Sequence, residues 1–175
     1  MIDDIVINDE KPAQLKKIYV AGGCFWGLEE LLRTRPGIVD TEVGYAGGEN
    51  ANPTYEHHPG HAEAVEISYD PERISYIQIL DFFFQIHNPT TLNQQGNDKG
   101  TSYRSAIFYA TAEERVLAEE MIAIVNASER WANPVVTSLE LLTTFWTAEG
   151  YHQDYLQHHP SGYTCHAVYF ESYLE

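Results

Sequence analysis

The order of periodic segments constrains the fold of this chain more than any other feature of its sequence. Six segments alternate between the hydrophobic spacing of strands and that of helices. They are strands at 16–21, 38–45, 62–69 and 104–109, with helices at 25–34 and 76–86. The resulting order of strand, helix, strand, strand, helix, strand is that of the split β-α-β core of ferredoxin-like folds. We therefore predict an α+β protein, a two-layer α/β sandwich with a mixed sheet.

Further elements are predicted towards the C terminus. The segment Thr111-Ala112-Glu113-Glu114 fits a capping box, in which the hydroxyl and the carboxylate satisfy free amides at the start of a helix. That helix should run to about residue 126, followed by a strand at 135–142 and a short helix at 148–156. The tail beyond them is rich in His, Gly and Pro and is predicted to be irregular.

Composition limits the classes of protein to consider. With 175 residues and 43% hydrophobic content, the chain can bury one core. We expect a single catalytic domain over 15–175 after a flexible, acidic N-terminal arm at 1–14. The formal net charge of −16 repels phosphate backbones and anionic lipids, so neither nucleic acid nor a membrane is an expected partner. The sequence shows no signal-peptide pattern and no bilayer-spanning run, and we expect a cytoplasmic monomer.

Cysteine and histidine content bears on disulfide and metal sites. Cys24 and Cys165 are the only cysteines, too few for a disulfide scaffold or a cysteine-rich zinc site. Both should be thiols in a reducing compartment. The eight histidines leave open a metal-binding module, built on Cys24 and the stretch 57–63 or on the C-terminal histidines. Because their spacing matches no standard zinc signature, we expect no metal.

Cys24 lies at the predicted turn from the first strand to the first helix, in the run Gly22-Gly23-Cys24-Phe25-Trp26-Gly27. The glycines allow a tight turn, and the helix would place the sulfur near free amides and the positive end of the helix dipole. Such a site lowers the pKa of a thiol, and the thiolate is the nucleophilic form. A buried, inert cysteine is the alternative. Phe25 and Trp26 could belong to the core, or could form an apolar cup suited to a methyl or thioether group.

Glu63 shares its strand parity with Val65 and Ile67, so its carboxyl group should point to the buried face of the sheet. Burial would raise its pKa towards neutrality and leave a proton for general acid catalysis. The alternative is a frayed strand end with Glu63 in solvent. Glu66 has the opposite parity and is expected in solvent.

A polar loop at 93–104 adds a dense set of turn formers between a helix and a strand, a common position for functional side chains. With this loop, the chain resembles the A-type peptide methionine sulfoxide reductases from about residue 16 to residue 162. The matching motifs occur in the expected order. They lie at 23–27 around the nucleophile, 52–55, 60–63 around the acid, 95–98, 103–105 and 151–153.

The resemblance implies a chemical role for four residues. Cys24 would attack the sulfoxide sulfur and Glu63 would protonate its oxygen. Tyr55 and Tyr103 would donate hydrogen bonds to that oxygen. Neutral donors suit this chemistry, because sulfoxide sulfur becomes electrophilic as its oxygen gains a proton or hydrogen bonds.

The resemblance also implies how the substrate is held. Phe25 and Trp26 would surround its methyl group, and Asp98 would order the polar side of the pocket, in part through water. The substrate would be the S epimer of methionine sulfoxide, in oxidised proteins or as the free amino acid.

The implied product on the enzyme is a sulfenic acid on Cys24, which condenses with a second thiol to form a disulfide. Cys165 is the candidate for this resolving cysteine, and an unused terminal cysteine is the alternative. No bound cofactor is implied, because thioredoxin or another dithiol would reduce the Cys24–Cys165 disulfide. With no third cysteine in the sequence, we expect no relay through another thiol.

The loop and the tail depart from the family pattern. The connection at 55–60 is shorter than usual, and Thr164 separates Cys165 from the Gly-Tyr pair that often precedes the resolving cysteine directly. A thiol peroxidase that uses Cys24 against peroxide is the alternative enzyme. The aromatic pair and Glu63 favour the sulfoxide as substrate.

Overall fold

The computed structural model describes residues 14–174. The flexible arm predicted at 1–14 therefore lies outside the described residues, apart from Gln14. The helices and strands are β1 (Lys16–Gly22), α1 (Phe25–Leu32), β2 (Ile38–Ala46), β3 (Ala62–Tyr69), α2 (Tyr76–Gln85), β4 (Gln94–Gln95), β5 (Asp98–Lys99), β6 (Ser105–Tyr109), α3 (Ala112–Ala127), β7 (Ser138–Leu141), β8 (Phe145–Thr147) and α4 (Tyr155–His158). Single turns of 3₁₀ helix occur at Thr101–Tyr103 and Gly150–His152.

Six of these strands form one mixed sheet in the order β7-β6-β1-β3-β2-β8. Neighbouring strands are antiparallel except β6 and β7, which run parallel. The inner order β6-β1-β3-β2 arises when two strand-helix-strand units interleave, which confirms the predicted split β-α-β core. The short hairpin of β4 and β5 is separate from this sheet. Among the helices of residues 14–174, none is long and apolar enough to cross a membrane.

The two faces of the sheet carry different residues. Val20 of β1 and Val65 and Ile67 of β3 point to the face covered by the helices, where they are fully buried. Leu28 of α1 and Phe83 of α2 belong to the same core. Complete burial of one such side chain contributes about 1.5–3 kcal/mol. The opposite face is packed mainly with alanines.

Helix α3 begins close to the predicted capping box. The hydroxyl of Thr111 accepts a hydrogen bond from the amide of Glu114 at 3.1 Å, as expected. The Glu114 carboxylate, however, accepts from the amide of Ala110, one residue before the cap. The start of the helix was therefore predicted correctly, while the second half of the box is shifted by one residue.

The C-terminal elements are shorter and more numerous than predicted. The strand expected at 135–142 is reduced to β7, and β8 has no counterpart among the predicted elements. The helix expected at 148–156 consists of a 3₁₀ turn and part of α4. Asp154 separates the two with φ +53°, and its amide donates a 2.9 Å hydrogen bond to Oε1 of Glu29. A contact with a distant helix thus fixes this break.

The tail beyond α4 contains no helix or strand up to residue 174, as predicted. It is nevertheless bound to the rest of the fold. Nε2 of His166 donates to the carbonyl oxygen of Gly22 at 2.6 Å, and the amide of Tyr173 donates to Asp81 at 2.7 Å. These contacts carry Cys165 across the N-terminal end of α1.

Candidate active site

Cys24 is the N-cap residue of α1, immediately after β1, so it lies at the predicted strand-to-helix turn. Gly23 precedes it with φ +95°, and a Cβ at that position would lie 2.6 Å from the side chain of Gln95. The turn therefore requires glycine for both its conformation and its space. Cys24 is 7% exposed and carries a free thiol.

The expectation that Cys24 has a lowered pKa is wrong, although the helix acts in the predicted direction. Burial raises the pKa of this thiol, and the nearby Glu63 carboxylate raises it further. The amide of Trp26, at the start of α1, lowers the pKa as the helix argument predicts, but its effect is smaller. Cys24 is therefore a thiol at neutral pH, and its reaction requires a neighbour that takes the proton.

Glu63 is the candidate for that neighbour, and its burial agrees with its strand parity. It is 1% exposed on β3, and its Oε1 accepts a 3.2 Å hydrogen bond from the amide of Phe25. Burial raises its pKa to about 8. Glu66 faces the other side of the sheet, but it is not solvated as expected. Its side chain is only 12% exposed and binds Lys17 at 3.0 Å.

Tyr55, Tyr103 and Asp98 form the polar side of the site. Burial raises the pKa of both phenols, and the charges of Glu63, Cys24 and Asp98 raise them further. These electrostatic effects indicate that Tyr55 and Tyr103 lie within interaction range of the other three groups. Both tyrosines keep their protons near neutral pH, so each is available as a hydrogen-bond donor.

Glu149 holds the loop that carries Tyr55. Its Oε2 accepts from the amide of Tyr55 at 3.0 Å, and its Oε1 accepts from the hydroxyl of Tyr45 at 2.9 Å. The ring of Tyr55 lies 4.6 Å from the ring of His152, measured between centroids. The short connection at 55–60 therefore still brings Tyr55 to the site. No sequence signal pointed to Glu149.

Phe25 and Trp26 each contribute to both the core and the site. Phe25 is fully buried, with its ring centroid 5.1 Å from that of His152. Trp26 is partly buried and stacks on Tyr155 at 3.8 Å between centroids. Its indole N–H donates to Nδ1 of His152 at 3.0 Å. Phe25 and Trp26, both in the first turn of α1, thus lie beside the ring of His152.

His152 has a position in the site that the sequence did not predict. It is 1% exposed, and burial lowers its pKa, so the ring is neutral at neutral pH. Because Nδ1 accepts from Trp26, the ring proton is on Nε2. Within residues 14–174, Nε2 has no hydrogen-bond partner. The motif at 151–153 contains His152, but its contact with Trp26 spans 126 positions and leaves no local pattern.

The tail places Cys165 beside the Cys24 turn. The sulfur of Cys165 lies 3.7 Å from Oδ2 of Asp98 and 3.8 Å from Nδ1 of His166. Burial and the Asp98 charge raise the pKa of Cys165, while the amide of Cys24 lowers it. This effect of the Cys24 amide indicates that the Cys165 sulfur lies near the backbone of Cys24. Thr164 does not prevent the approach of the two cysteines.

Histidines of the stretch 57–63 make ordinary protein contacts. Nδ1 of His61 accepts from the amide of Gly48, and its Nε2 contacts the carbonyl oxygen of Asn50 at 2.8 Å. His58 contacts the hydroxyl of Ser102 at 2.8 Å. In the part of the chain that the structure describes, no group of three His, Cys, Asp or Glu side chains is arranged to hold a metal ion.

Sequence comparison identifies relatives over most of the chain. Residues 16–173 match the family described as peptide methionine sulfoxide reductase. The peptide methionine sulfoxide reductase MsrA of Nocardia farcinica is 60% identical over 151 residues. The match covers 86% of this chain and 89% of the relative.

Solved structures agree with the sequence comparison. Mxr1 from Saccharomyces cerevisiae in its reduced form gives a TM-score of 0.83 at 37% identity, over 92% of this chain and 94% of Mxr1. The structure of Mxr1 in complex with Trx2 gives a TM-score of 0.63 at 28% identity, over 91% of this chain and 93% of that chain. The chain belongs to the A-type peptide methionine sulfoxide reductase family.

Proposed function

We propose that this chain reduces the S epimer of methionine sulfoxide, in oxidised proteins and as the free amino acid, with Cys24 as nucleophile and Glu63 as general acid. One observation carries the proposal. The buried carboxyl group of Glu63 binds the amide of Phe25, in the first turn of the helix that Cys24 caps. With a pKa of about 8, this group carries at neutral pH the proton that a sulfoxide oxygen needs.

Cys24 and Glu63 can generate the reactive form together. Two negative charges in this buried site would repel each other, so the pair retains one proton more readily than none. When Glu63 is ionised, the thiol proton of Cys24 can move to it. The transfer creates the thiolate nucleophile and the neutral acid in one event.

The first chemical step moves the sulfoxide oxygen to the enzyme. The Cys24 thiolate attacks the sulfoxide sulfur while Glu63 gives its proton to the oxygen. The hydroxyl then passes to the cysteine sulfur, and the bonds from the substrate sulfur to that oxygen and to the cysteine sulfur break. The products are methionine and a sulfenic acid on Cys24. The substrate sulfur is reduced and the cysteine sulfur is oxidised, so this step needs no further reactant.

Neutral donors would support the oxygen as charge develops on it. Tyr55 and Tyr103 keep their protons because their pKa values are raised by burial and by Glu63. The Nε2–H of His152, which has no hydrogen-bond partner within residues 14–174, is a third donor, available to a polar group of the substrate. Donors fixed in advance by the protein stabilise such a charge more effectively than water does.

The remaining site residues would bind the substrate. Phe25 and Trp26 directly follow Cys24 in the chain and would offer aromatic surface for the methyl group. Asp98 would order the polar side of the pocket. It already accepts a hydrogen bond from the hydroxyl of Tyr163 at 3.2 Å, which ties the pocket to the tail.

Recycling would proceed through Cys165 and a dithiol. Cys165 attacks the sulfenic sulfur of Cys24, giving a disulfide and water. The structure of Mxr1 in complex with Trx2 supports thioredoxin or another dithiol as the reductant of this disulfide. The electrons come from thiols, so no bound cofactor takes part. Recycling by a dithiol requires a reducing compartment, which supports a cytoplasmic location.

The proposal is tested by thioredoxin-coupled reduction of the two epimers of a chiral methyl sulfoxide. We expect turnover of the S epimer and no activity in Cys24→Ser. The Glu63→Gln variant should lose about 10²–10⁴-fold in kcat/KM, because its amide cannot supply the proton. Glu66→Gln changes the other face of β3 and should retain full activity.

Two results would overturn the proposal. Full activity of Cys24→Ser would exclude Cys24 as the nucleophile, and wild-type activity of Glu63→Gln would exclude Glu63 as the general acid. The same samples are also assayed with hydrogen peroxide. Faster turnover of peroxide than of the sulfoxide would establish the thiol peroxidase instead.

A further inference from the structure

His166 lies between the segments that carry the two cysteines. It is 8% exposed, and its Nε2 donates a 2.6 Å hydrogen bond to the carbonyl oxygen of Gly22 at the end of β1. A carbonyl oxygen can only accept, so the proton of the neutral ring is on Nε2 and Nδ1 has a free lone pair. That Nδ1 lies 3.8 Å from the sulfur of Cys165.

The neighbouring backbone leaves space for this ring. A Cβ on Gly27 would lie 2.5 Å from Nδ1 of His166, and a Cβ on Gly23 would lie 3.3 Å from its Cε1. The amide of His166 also donates to the hydroxyl of Thr164 at 3.2 Å. The hydrogen bond from Nε2 to Gly22 and the close backbone at Gly23 and Gly27 therefore fix the orientation of the imidazole.

We propose that His166 is the base that accepts the thiol proton of Cys165 when Cys165 attacks the sulfenic acid of Cys24. The inference deepens the proposed function and rests on it. A bond forms between the two sulfur atoms, and the sulfur–oxygen bond of the sulfenic acid breaks. The Cys165 sulfur is oxidised and the Cys24 sulfur is reduced. The proton passes from Nδ1 to the departing hydroxide, which leaves as water.

Asp98 is the other acceptor near this thiol, with Oδ2 3.7 Å from the sulfur of Cys165. The same Oδ2 already accepts a 3.2 Å hydrogen bond from the hydroxyl of Tyr163. Its negative charge also opposes the formation of a thiolate beside it. Asp98 instead favours the imidazolium that forms on His166, and so does the carbonyl oxygen of Gly22.

The titratable groups that face His166, among residues 14–174, are Cys165, Asp98 and His87. Burial lowers the pKa of His87 to about 3, so His87 does not compete for the proton. Burial also lowers the pKa of His166, which keeps Nδ1 unprotonated and ready to accept at neutral pH.

The test is a single turnover of reduced enzyme with the S epimer of methionine sulfoxide, without thioredoxin, in wild type, His166→Gln and His158→Gln. The amide nitrogen of the glutamine can keep the hydrogen bond to Gly22, while the base at Nδ1 is lost. His158 is exposed and serves as the matched control. Methionine release and the loss of the first free thiol measure the chemistry of Cys24, and the loss of the second free thiol measures disulfide formation.

We expect all three proteins to release about one equivalent of methionine at the same rate. Disulfide formation in His166→Gln should be slower by about tenfold or more, since a general base typically contributes 10²–10⁴-fold. A sulfenic-acid trap should then label Cys24 in this variant. The wild-type rate of disulfide formation should fall in acid as His166 is protonated, and His166→Gln should lose this dependence on pH.

Disulfide formation at the wild-type rate in His166→Gln would overturn the role of His166. A flat pH profile of disulfide formation in the wild type would do the same, whether or not the variant folds. A wild type that releases no methionine contradicts the proposed function instead, so the two failures are distinguishable.

Discussion

Cys24 and Glu63 show how two residues in one small site set each other's charge. The sequence placed Cys24 at a helix N terminus, where a thiolate is stabilised. The structure adds the carboxyl group of Glu63, which reaches the same turn from a strand 38 positions beyond Phe25. Its charge and the burial of the thiol outweigh the helix and raise the pKa of Cys24. A local argument about the helix could not include a charge supplied by another element.

Glu63→Gln should stabilise the reduced protein although it removes the proposed general acid. The pKa of Glu63 is about 8 when folded, against 4.5 for a free carboxyl group. As the pH rises between these values, the unfolded chain loses this proton and the folded chain keeps it, so the wild type loses stability. We expect the variant to gain about 1–3 kcal/mol in unfolding free energy at pH 8, after the cost of its unpaired amide N–H groups.

Denaturant unfolding in the presence of a reductant measures this gain. At pH 4.5 and below, the variant and the wild type should differ little, because Glu63 is protonated in both states. Glu66→Gln is the control, since its side chain lies on the other face of β3. A gain of equal size at pH 4.5 and pH 8 would show that ionisation of Glu63 is not its cause.

Some residues of the site could be predicted from the sequence and others could not. The difference lies in how local their sequence signals are. Glycines beside Cys24 and the parity of Glu63 are visible within a few positions. His152 and His166 enter the site through contacts with Trp26 and Gly22, which span 126 and 144 positions. Such pairs leave no periodic pattern in the sequence, because they depend on how the C-terminal segments pack on α1.

At the scale of elements, long periodic segments were predictable and short ones were not. The first six predicted elements correspond to β1, α1, β2, β3, α2 and β6. β8 has only three residues and exists as a strand because it pairs with β2. The break at Asp154 depends on its hydrogen bond to Glu29. Tertiary contacts, rather than local propensity, decide these elements.

Gly27→Ala tests whether packing or helix propensity dominates in α1. Alanine is favoured over glycine inside a helix by about 1 kcal/mol. A Cβ on Gly27, however, would overlap the hydroxyl of Thr164 and approach His166, so the tail would have to move. We expect a net loss of about 1–3 kcal/mol in unfolding free energy. Disulfide formation should also slow, while the first release of methionine continues.

Gly150→Ala is the matched control for this substitution, because a Cβ at Gly150 meets no atom within 4 Å. Its unfolding free energy should stay within about 0.5 kcal/mol of the wild type. The measurement is denaturant unfolding of both variants under reducing conditions. A more stable Gly27→Ala protein would contradict the packing of the tail against α1.

At the scale of the whole molecule, the fold brings residues near the two ends of the described chain into one site. The split β-α-β core holds the Cys24 turn at the end of β1 and Glu63 on the adjacent strand β3. The tail then crosses this site and is anchored at Gly22 and at Asp81. The core topology could be predicted from the order of elements. The course of the tail could not, because it has no periodicity and its anchors are single hydrogen bonds.

Cys165→Ser tests whether this crossing serves the catalytic cycle. In the proposed cycle, attack by Cys24 precedes disulfide formation, so the variant should still release about one equivalent of methionine in a single turnover at the wild-type rate. Thioredoxin-coupled turnover should fall by about tenfold or more, because thioredoxin then meets a sulfenic acid rather than a disulfide. The measurements are methionine release without reductant and steady-state turnover with thioredoxin. Cys24 and Cys165 are the only cysteines of the chain, so no other thiol can replace Cys165. Unimpaired turnover with thioredoxin would therefore mean that the reductant acts directly on Cys24.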